Sequence, residues 1–338
     1  MKKKRIALIY GGAGKEHAVS ILGAENFMRL LRECGDFEIL PVFIDKTGDW
    51  YIKKRGKYIP THPVRMKGGG GFLFGRHFLA VDCAVPMLHG DFGEDGRVQG
   101  ALDCAKIPYV GSGVLGGAVS SDKIYTKIIA ESLGIPTVPY MASQTPNAKE
   151  ARAAAEEKIA YPMFIKPSGL GSSIGAAEVR VAEEFERAYL DAFSLGGGRV
   201  LIERLVYPKR EIECACLIEG DSITVSHPGE IEIDRFYSYG EKYSSSSSAN
   251  LCLHSDISPE LKERLSEYCR LLCRGLSIHD LCRIDFFLSG EEIYLNEVNT
   301  MPGFTESSLY PRLMKESGVG EVELVLRLIR SAMKRGGL

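Results

Sequence analysis

The chain has 338 residues with nearly balanced charge, 42 lysines and arginines against 44 aspartates and glutamates. This length allows two or three domains with a sizeable core. The net charge of −2 disfavours a protein that holds nucleic acid on a basic surface. No run of about 18 apolar residues occurs, so we expect no membrane-spanning helix. The nine cysteines form no C-x-x-C pair, which favours free thiols in a reducing cytoplasm over disulfides or a structural zinc site.

Short apolar runs alternate with amphipathic segments through about residue 112, and this alternation predicts an open parallel α/β sheet. Strands are predicted at residues 5–10, 37–44, 80–88 and 108–113. Helices are predicted at residues 98–105 and 18–34, where Gly35 follows as a stop signal. The glycine run at residues 67–71 indicates a loop.

The rest of the chain predicts a small α+β module and then a mixed unit with antiparallel strands. For the module we expect helices at 122–133, 148–158 and 182–193, and strands at 138–141, 163–166, 175–179 and 199–203. For the last unit we expect strands at 211–219 and 222–228, a helix from Pro259 capped by Ser258, a hairpin at 283–299 and a helix at 322–334. The expected domains are residues 1–115, 116–204 and 205–338, and five serines at 244–248 predict a flexible loop.

The first glycine cluster, residues 11–14, is followed by Glu16 and His17. His17 stands where a dinucleotide fingerprint needs a small residue, which disfavours a nicotinamide-dependent dehydrogenase. Glu16 would repel phosphate at the start of a helix, but it could bind an ammonium group. Alternatively, Glu16 only complements the helix dipole.

The second glycine cluster, residues 166–175, combines small residues and hydroxyls with Lys166. Such a loop lets backbone N–H groups approach a polyphosphate, and the lysine supplies a cation. The segment lacks the Lys-Ser/Thr that ends a Walker loop. Phosphate binding and a plain hairpin loop are both open at this stage.

The predicted hairpin at 283–299 carries two polar residues spaced two apart on each strand, Arg283 and Asp285 on the first and Glu297 and Asn299 on the second. With a three-residue loop at 290–292, Asp285 pairs with Glu297 and Arg283 with Asn299, and all four side chains share one face. Two carboxylates and an amide oxygen are ligands suited to Mg²⁺. A solvated hairpin face is the alternative. Taken singly, Lys123, Lys166 and Lys242 are ordinary surface lysines and His89 is a turn histidine.

Together these segments resemble the D-alanine–D-alanine ligase family, a branch of the ATP-grasp enzymes. The resemblance rests on motifs in family order: GGxxxEHxVS at 11–20, HGxxGEDG at 89–96, GSG at 111–113, DK at 122–123, KPSxxGSSxG at 166–175, EKY at 241–243, RID at 283–285 and NEVNTxPGFT at 296–305. It implies an ATP-grasp fold behind an N-terminal open parallel α/β domain. It also implies a homodimer in the cytoplasm that makes D-alanyl-D-alanine for peptidoglycan, through a D-alanyl phosphate.

The resemblance also implies a role for each matching residue. Catalytic roles fall to Glu16, Ser172, Tyr243, Arg283 and Gly303, of which Arg283 and the Gly303 N–H stabilise a tetrahedral oxyanion. ATP would contact Lys123, Lys166, Ser173, Glu203, Val206, Glu211 and Lys242. The two D-alanines would contact His89, Ser308 and Leu309, and two Mg²⁺ or Mn²⁺ ions would bind Asp285, Glu297 and Asn299.

Two alternatives to this activity remain open from the sequence. Tyr243 favours an amine over D-lactate as the second substrate, but the 241–243 motif is also similar to that of D-alanine–D-serine ligases. The segment after Tyr243 lacks the Pro-Ala ending common in the family, so a nucleotide-binding relative without ligase activity is a further possibility. Retention of Arg283 argues against such a binder, which does not need an oxyanion donor.

Overall fold

The computed structural model describes residues 3–54, 57–66, 69–171, 173–207, 209–232 and 250–337. Among these residues, no helix is both long enough and apolar enough to cross a membrane. The strands in the described ranges form three sheets of seven, four and six strands. Each sheet lies within one of the three predicted segments, while the boundaries themselves stay a prediction. The predicted serine loop at 244–248 lies outside the described residues.

The first sheet has the order β6-β5-β4-β3-β2-β1-β7. Its elements are β1 (Lys4–Gly11), α1 (His17–Cys34), β2 (Phe37–Ile44), β3 (Trp50–Lys54), β4 (Lys57–Met66), β5 (Gly69–Phe74), β6 (His77–Ala80), β7 (Cys83–Met87) and α2 (Arg97–Ala105). β1 pairs in parallel with β2 and β7, which confirms the predicted parallel centre. β3 to β6 continue the sheet as antiparallel hairpins, which the prediction of an open parallel sheet did not include.

The expected loop at 67–71 is also wrong where the structure describes it, because residues 69–71 belong to β5. A Cβ on Gly70 would lie 2.5 Å from the Ala105 carbonyl oxygen, and one on Gly71 would lie 2.1 Å from the Leu79 carbonyl oxygen. These glycines therefore allow close backbone approach within a sheet rather than a turn. The neighbouring helix α1 agrees with prediction, and Gly35 ends it with a left-handed φ of 72°.

The second sheet has the order β10-β9-β11-β8. Its segment contains α3 (Val114–Ser121), α4 (Lys123–Ser132), β8 (Tyr140–Ser143), α5 (Ala148–Lys158), β9 (Met163–Pro167), β10 (Ala177–Val179), α6 (Ala182–Leu195) and β11 (Val200–Arg204). One face packs Ile165 and Ile202 against Phe185 of α6. The opposite face carries Lys166 and Glu203, because side chains alternate along β9 and β11. Helix α3 was not predicted, since its glycines lower helix propensity.

The third sheet has the order β15-β14-β12-β16-β17, and β13 also pairs with β12. Its segment contains β12 (Arg210–Glu219), β13 (Ser222–Val225), β14 (Gly229–Glu232), β15 (Asn250–Cys252), α7 (Pro259–Gly275), β16 (Asp280–Ser289), β17 (Glu292–Asn299), α8 (Leu309–Glu316) and α9 (Glu321–Arg335). The predicted Ser258 cap is confirmed, because its Oγ accepts a hydrogen bond from the Leu261 N–H. The sequence reading missed β14, β15 and α8.

One apolar core joins the first and third sheets. It packs Ile6 of β1 and Phe27 of α1 against Leu217 of β12, Phe304 and Leu328 of α9. A second core lies under α7, and six of the nine free cysteines are buried in the protein, as expected for thiols that serve as small apolar side chains. The shared core fixes the loops after β1 and β7 beside the segment that follows β17.

Candidate active site

The β16–β17 hairpin pairs Asp285 with Glu297 and Arg283 with Asn299, as predicted. The predicted three-residue loop is wrong, because Ser289 pairs with Glu292 across a two-residue turn. The register shifts by one residue between Asp285 and Phe286, so that Asn296 is an extra residue in β17. This bulge lets Leu295 and Val298 both reach the core while Glu297 stays on the polar face.

Each carboxylate of this face has a cation beside it. Arg283 donates from Nε and Nη2 to the two oxygens of Asp285, at 2.8 Å each, and its Nε lies 2.9 Å from Glu213. Burial disfavours the Arg283 charge, but Asp285 and Glu213 outweigh it and raise its pKa. Asn299 donates from Nδ2 to Asp285 at 3.0 Å. Lys123 Nζ lies 3.3 Å from Glu297.

A second cluster of charged side chains lies on the face of the four-stranded sheet that is turned toward the hairpin. Lys166 Nζ is 2.7 Å from Glu203 Oε2, and Lys127 Nζ is 2.6 Å from Glu203 Oε1. Burial alone would raise the pKa of Glu203, but the two lysines overcome it and lower the pKa to about 2. Lys166 also donates to Asn296 Oδ1 at 3.4 Å, so the two charged groups touch across the cleft between the sheets.

The glycine cluster forms the loop after β9, and α4 is attached to it. The Lys123 N–H donates to the Ser168 carbonyl at 2.9 Å, and Lys123 Nζ donates to the Leu170 carbonyl at 2.8 Å. Asp122 caps α4 by accepting from the N–H groups of Ile124 and Tyr125. A Cβ on Gly169 or Gly171 would meet no atom within 4 Å, so this loop borders open space. Ser173 has a left-handed φ of 57°.

A polar cleft of about 250 Å³ separates the loop after β7, the glycine loop and the hairpin. Its lining includes Gly90, Glu94, Lys123, Gly171, Glu297 and Asn299. The structure therefore brings the glycine loop and two of the three predicted metal ligands, Glu297 and Asn299, to one cavity. Both positive and negative side chains line it, as a site for a charged substrate and its counterions requires.

Glu16 and His89 lie at the ends of neighbouring parallel strands. Glu16 stands at the start of α1, and a Cβ on Gly90 would lie 2.9 Å from its Oε2. His89 Nδ1 is 2.9 Å from the Met301 carbonyl oxygen, which can only accept, so Nδ1 carries a proton. Among described residues no group bonds the buried His89 Nε2. Burial opposes the His89 charge, but Glu94 and Glu16 outweigh it and raise its pKa.

The segment after β17 holds Gly303, Ser308 and Leu309 close together. A Cβ on Gly303 would lie 2.9 Å from Ser308 Oγ, and that hydroxyl accepts from the Thr305 N–H at 2.9 Å. Ser308 directly precedes α8 without a capping hydrogen bond from its side chain, and Leu309 is the first helical residue, with its side chain buried in the core. A contact from Leu309 to a substrate therefore has to come from its backbone N–H, which the first helical turn leaves unbonded.

The other predicted contacts lie on or next to β11 and β12, or outside the described residues. Val206 follows β11, three residues after Glu203, and Glu211 on β12 forms an ion pair with Lys209 at 3.1 Å. Ser172, Lys242 and Tyr243 lie outside the described residues.

Two family models match the chain. The D-ala D-ala ligase N-terminus matches residues 5–112, and the D-ala D-ala ligase C-terminus matches residues 129–330. The chain belongs to the D-alanine–D-alanine ligase family. Curated relatives in this family agree over nearly the full length. A D-alanine–D-alanine ligase from Deinococcus radiodurans is 40% identical over 98% of this chain and 99% of its own, and one from Methylobacterium is 37% identical over 98% and 92%.

Solved structures of D-alanine–D-alanine ligase relatives share the fold. D-alanyl-alanine synthetase A from Vibrio cholerae superposes with a TM-score of 0.88 at 30% identity, covering 99% of both chains. A D-Ala:D-Ser ligase from Enterococcus faecalis superposes with a TM-score of 0.89 at 30% identity, covering 98% of this chain and 100% of its own. The expected ATP-grasp architecture is thereby confirmed.

Sequence reasoning missed three charged or polar residues that this member of the D-alanine–D-alanine ligase family places in contact with the predicted site residues. Lys127 and Glu213 are buried partners of Glu203 and Arg283, and Asn296 accepts from Lys166. For two of these residues, the spacing in the sequence could have indicated their place. Lys127 follows Lys123 by four residues and so shares its helix face, and Glu213 shares a strand face with Glu211.

Proposed function

We propose that this chain is an ATP-dependent ligase that joins two D-alanines, through a D-alanyl phosphate, into D-alanyl-D-alanine for peptidoglycan synthesis. The observation that carries the proposal is the polar hairpin face: Arg283 lies beside two carboxylates and an amide, opposite Lys123 and Lys166. A protein that only bound nucleotide would not need a half-buried arginine beside its proposed metal ligands. Curated relatives along the whole chain are named for the same reaction.

Asp285, Glu297 and Asn299 fit a magnesium site. They offer hard oxygen donors from one face, and the carboxylates of Asp285 and Glu297, directly opposite each other, favour a cation between them. We assign two Mg²⁺ ions, or Mn²⁺, to these three residues. When bound, the ions neutralise the triphosphate and the transferring phosphoryl group.

The remaining nucleotide contacts come from the small sheet and its loops. Lys123 and Lys166 contact the phosphates as point charges, and Ser173 with its neighbouring N–H groups supports them. Glu203 and Val206 line the adenine pocket, and Glu211 binds the ribose. We assign Lys242 to the phosphates as well, and Ser172 and Tyr243 to a link between Glu16 and the loop that closes over the reaction.

The chemistry then needs little covalent work from the protein, because positioning and charge supply the rate. One oxygen of the first D-alanine's carboxylate attacks the γ-phosphorus of ATP, and the bond to ADP breaks. Glu16 binds this substrate's ammonium group, and His89 Nε2, which has no hydrogen-bond partner in the described part of the chain, is the donor for its carboxylate. The elevated pKa of His89 favours a proton on that nitrogen.

The amine of the second D-alanine then attacks the acyl carbon, and phosphate leaves from the tetrahedral intermediate. Arg283 has five N–H groups, of which its bonds to Asp285 use two, and those bonds fix the guanidinium plane. With the Gly303 N–H it stabilises the oxyanion. Ser308 and the Leu309 N–H at the start of α8 bind the second carboxylate, at the positive end of the helix dipole.

The test is ATP-dependent phosphate release with D-alanine alone, and then with D-serine or D-lactate added. Release with D-alanine alone, with D-alanyl-D-alanine as product, supports the proposal. Absence of turnover with every D-amino acid contradicts it and favours a nucleotide-binding protein. The D-Ala:D-Ser ligase from Enterococcus faecalis makes D-serine the alternative second substrate, which a mixed dipeptide and faster turnover would reveal.

We also propose a cytoplasmic homodimer with domains at 1–115, 116–204 and 205–338. The three sheets support the domain boundaries, and the free thiols support a reducing compartment. The dimer follows from the family resemblance. Light scattering after size exclusion tests it directly, because it distinguishes one copy of the chain from two.

A further inference from the structure

The Glu203 carboxylate lies between two buried lysines that differ in their access to the cleft. Each of its oxygens faces one of them, Lys127 at 2.6 Å and Lys166 at 2.7 Å. The Lys166 side chain is 9% exposed and extends to Asn296 of the hairpin, whereas that of Lys127 is 1% exposed. Lys166 can therefore exchange its partner for a ligand, and Lys127 cannot do so without disrupting the fold.

The surroundings of Lys127 fix it in place. Its Nζ lies 5.4 Å from the centre of the Tyr140 ring, and Tyr140 is the residue paired with Glu203 across β8 and β11. Burial lowers the pKa of Lys127, and the Glu203 charge opposes that effect. Removing either partner would leave an uncompensated charge inside the protein.

Helix α4 carries Lys123 and Lys127 one turn apart on the same face. Lys123 faces Glu297 of the hairpin, and Lys127 faces Glu203 of the small sheet. One helix therefore supplies one cation to the proposed phosphate site and a second, enclosed cation to the proposed adenine pocket.

We propose that Lys127 is a positioning residue that holds the Glu203 carboxylate as the acceptor for the 6-amino group of adenine and thereby frees Lys166 for the triphosphate. This inference rests on the proposed function, because it concerns the selectivity of the same nucleotide site. When Lys166 turns to phosphate, Glu203 Oε2 loses its donor. The adenine amino group replaces that donor, whereas the 6-oxo group of inosine triphosphate (ITP) brings only an acceptor.

Lys127→Met tests the inference because methionine keeps most of the side-chain length without the charge. Lys127→Arg keeps the charge, and Lys158→Met removes an exposed lysine of the same domain as a matched control. Binding of ATP and of ITP is measured by calorimetry without D-alanine, and KM and kcat are measured with it. Thermal melting reports whether each variant is folded.

In Lys127→Met we expect ATP affinity to fall about tenfold or more, as for loss of a charge-assisted hydrogen bond, and the preference for ATP over ITP to shrink. The value of kcat at saturating ATP changes little, because Lys127 does not touch the reacting atoms. Lys127→Arg restores part of the preference, and Lys158→Met behaves as the unchanged protein.

A double-mutant cycle keeps the test decisive if Lys127→Met alone folds poorly. Glu203→Gln combined with Lys127→Met removes both members of the Lys127–Glu203 pair, and once Glu203→Gln is present the Lys127 substitution should have no further effect on nucleotide selectivity. The inference is overturned if Lys127→Met leaves the ratio of ATP affinity to ITP affinity unchanged. It is also overturned if Lys127→Met lowers that ratio as much in the Glu203→Gln background as in the unchanged protein. If the protein binds ATP without ligating D-alanine, the proposed function fails while this selectivity test still stands.

Discussion

Asp285 of β16 and Glu297 of β17 lie directly opposite each other, although the register between the two strands shifts by one residue between this pair and the turn. The bulge at Asn296 accounts for the difference. It brings the consecutive side chains of Asn296 and Glu297 toward Lys166 and Lys123, two lysines of the facing domain. The hairpin therefore presents the proposed cation ligand Glu297 and the Lys166 contact Asn296 from adjacent residues of one strand.

Replacing Glu297 with glutamine removes one carboxylate from this pair without changing its size. We expect apparent Mg²⁺ affinity to fall by at least about tenfold, the loss typical even of residues that only support a metal ligand. Turnover should recover in part at high Mg²⁺. Glu291→Gln, an exposed acid in the turn of the same hairpin, is the control, and the measurement is ATP turnover against Mg²⁺ concentration. If turnover depends on Mg²⁺ concentration in the same way in both variants, Glu297 is not a ligand of the metal.

Arg283→Lys keeps a cation beside Asp285 and Glu213 but loses the two-pronged hydrogen bond. We expect turnover to fall by roughly a hundredfold, the loss typical of one oxyanion donor. Nucleotide affinity should stay nearly intact, because the proposed phosphate contacts are lysines. Lysine is the better test than alanine, since alanine would leave two buried carboxylates without their cation. Turnover close to that of the unchanged protein would rule out the oxyanion role.

Gly90→Ala should impair binding of the first D-alanine. Gly90 has a φ of +66°, and a Cβ there would lie 2.9 Å from Glu16 Oε2, so the carboxylate has to move. Gly75→Ala is the matched control, because its φ is +57° and a Cβ there would meet no atom within 4 Å. Both variants should lose about 1 kcal/mol of stability. Only Gly90→Ala should raise the KM of D-alanine, by about tenfold. Equal KM values for the two variants would show that Gly90 does not affect the binding of D-alanine by Glu16.

The Glu203 pKa predicts a change in the acid stability of the protein. Its folded pKa of about 2 lies below the ordinary 4.5, so the carboxylate stabilises the fold above pH 4.5. That contribution, on the order of 3 kcal/mol, is lost as the pH falls from 4.5 toward 2. The stability difference between the unchanged protein and Glu203→Gln, measured by urea unfolding, should therefore shrink over this range. A difference that does not vary with pH would contradict the assignment.

The sequence was sufficient to predict the helices with clear start and stop signals. Residues 148–158 form α5 as expected, and Gly35 ends α1 because a left-handed conformation suits glycine. The polar hairpin face followed from alternation in the same way. Such features depend on neighbours close in the chain, and local chemistry is enough to specify them.

The errors arose where distant parts of the chain decide the structure. Gly70 and Gly71 serve close packing against α2 and β6, which a glycine run in the sequence does not distinguish from a loop. The bulge at Asn296 had a sequence signal in the apolar spacing, since Ile293, Leu295 and Val298 break the two-residue period. Lys127 was overlooked because a buried lysine needs a partner from another element, here Glu203 of β11.

The reaction itself is tested most directly with D-alanine that carries ¹⁸O in both carboxylate oxygens. If one of those oxygens attacks the γ-phosphorus and leaves with it, each released phosphate carries one ¹⁸O atom, and one phosphate forms per dipeptide. Mass spectrometry of the phosphate and the dipeptide measures both quantities. Phosphate without label, or ATP hydrolysis without dipeptide, would contradict the proposed D-alanyl phosphate.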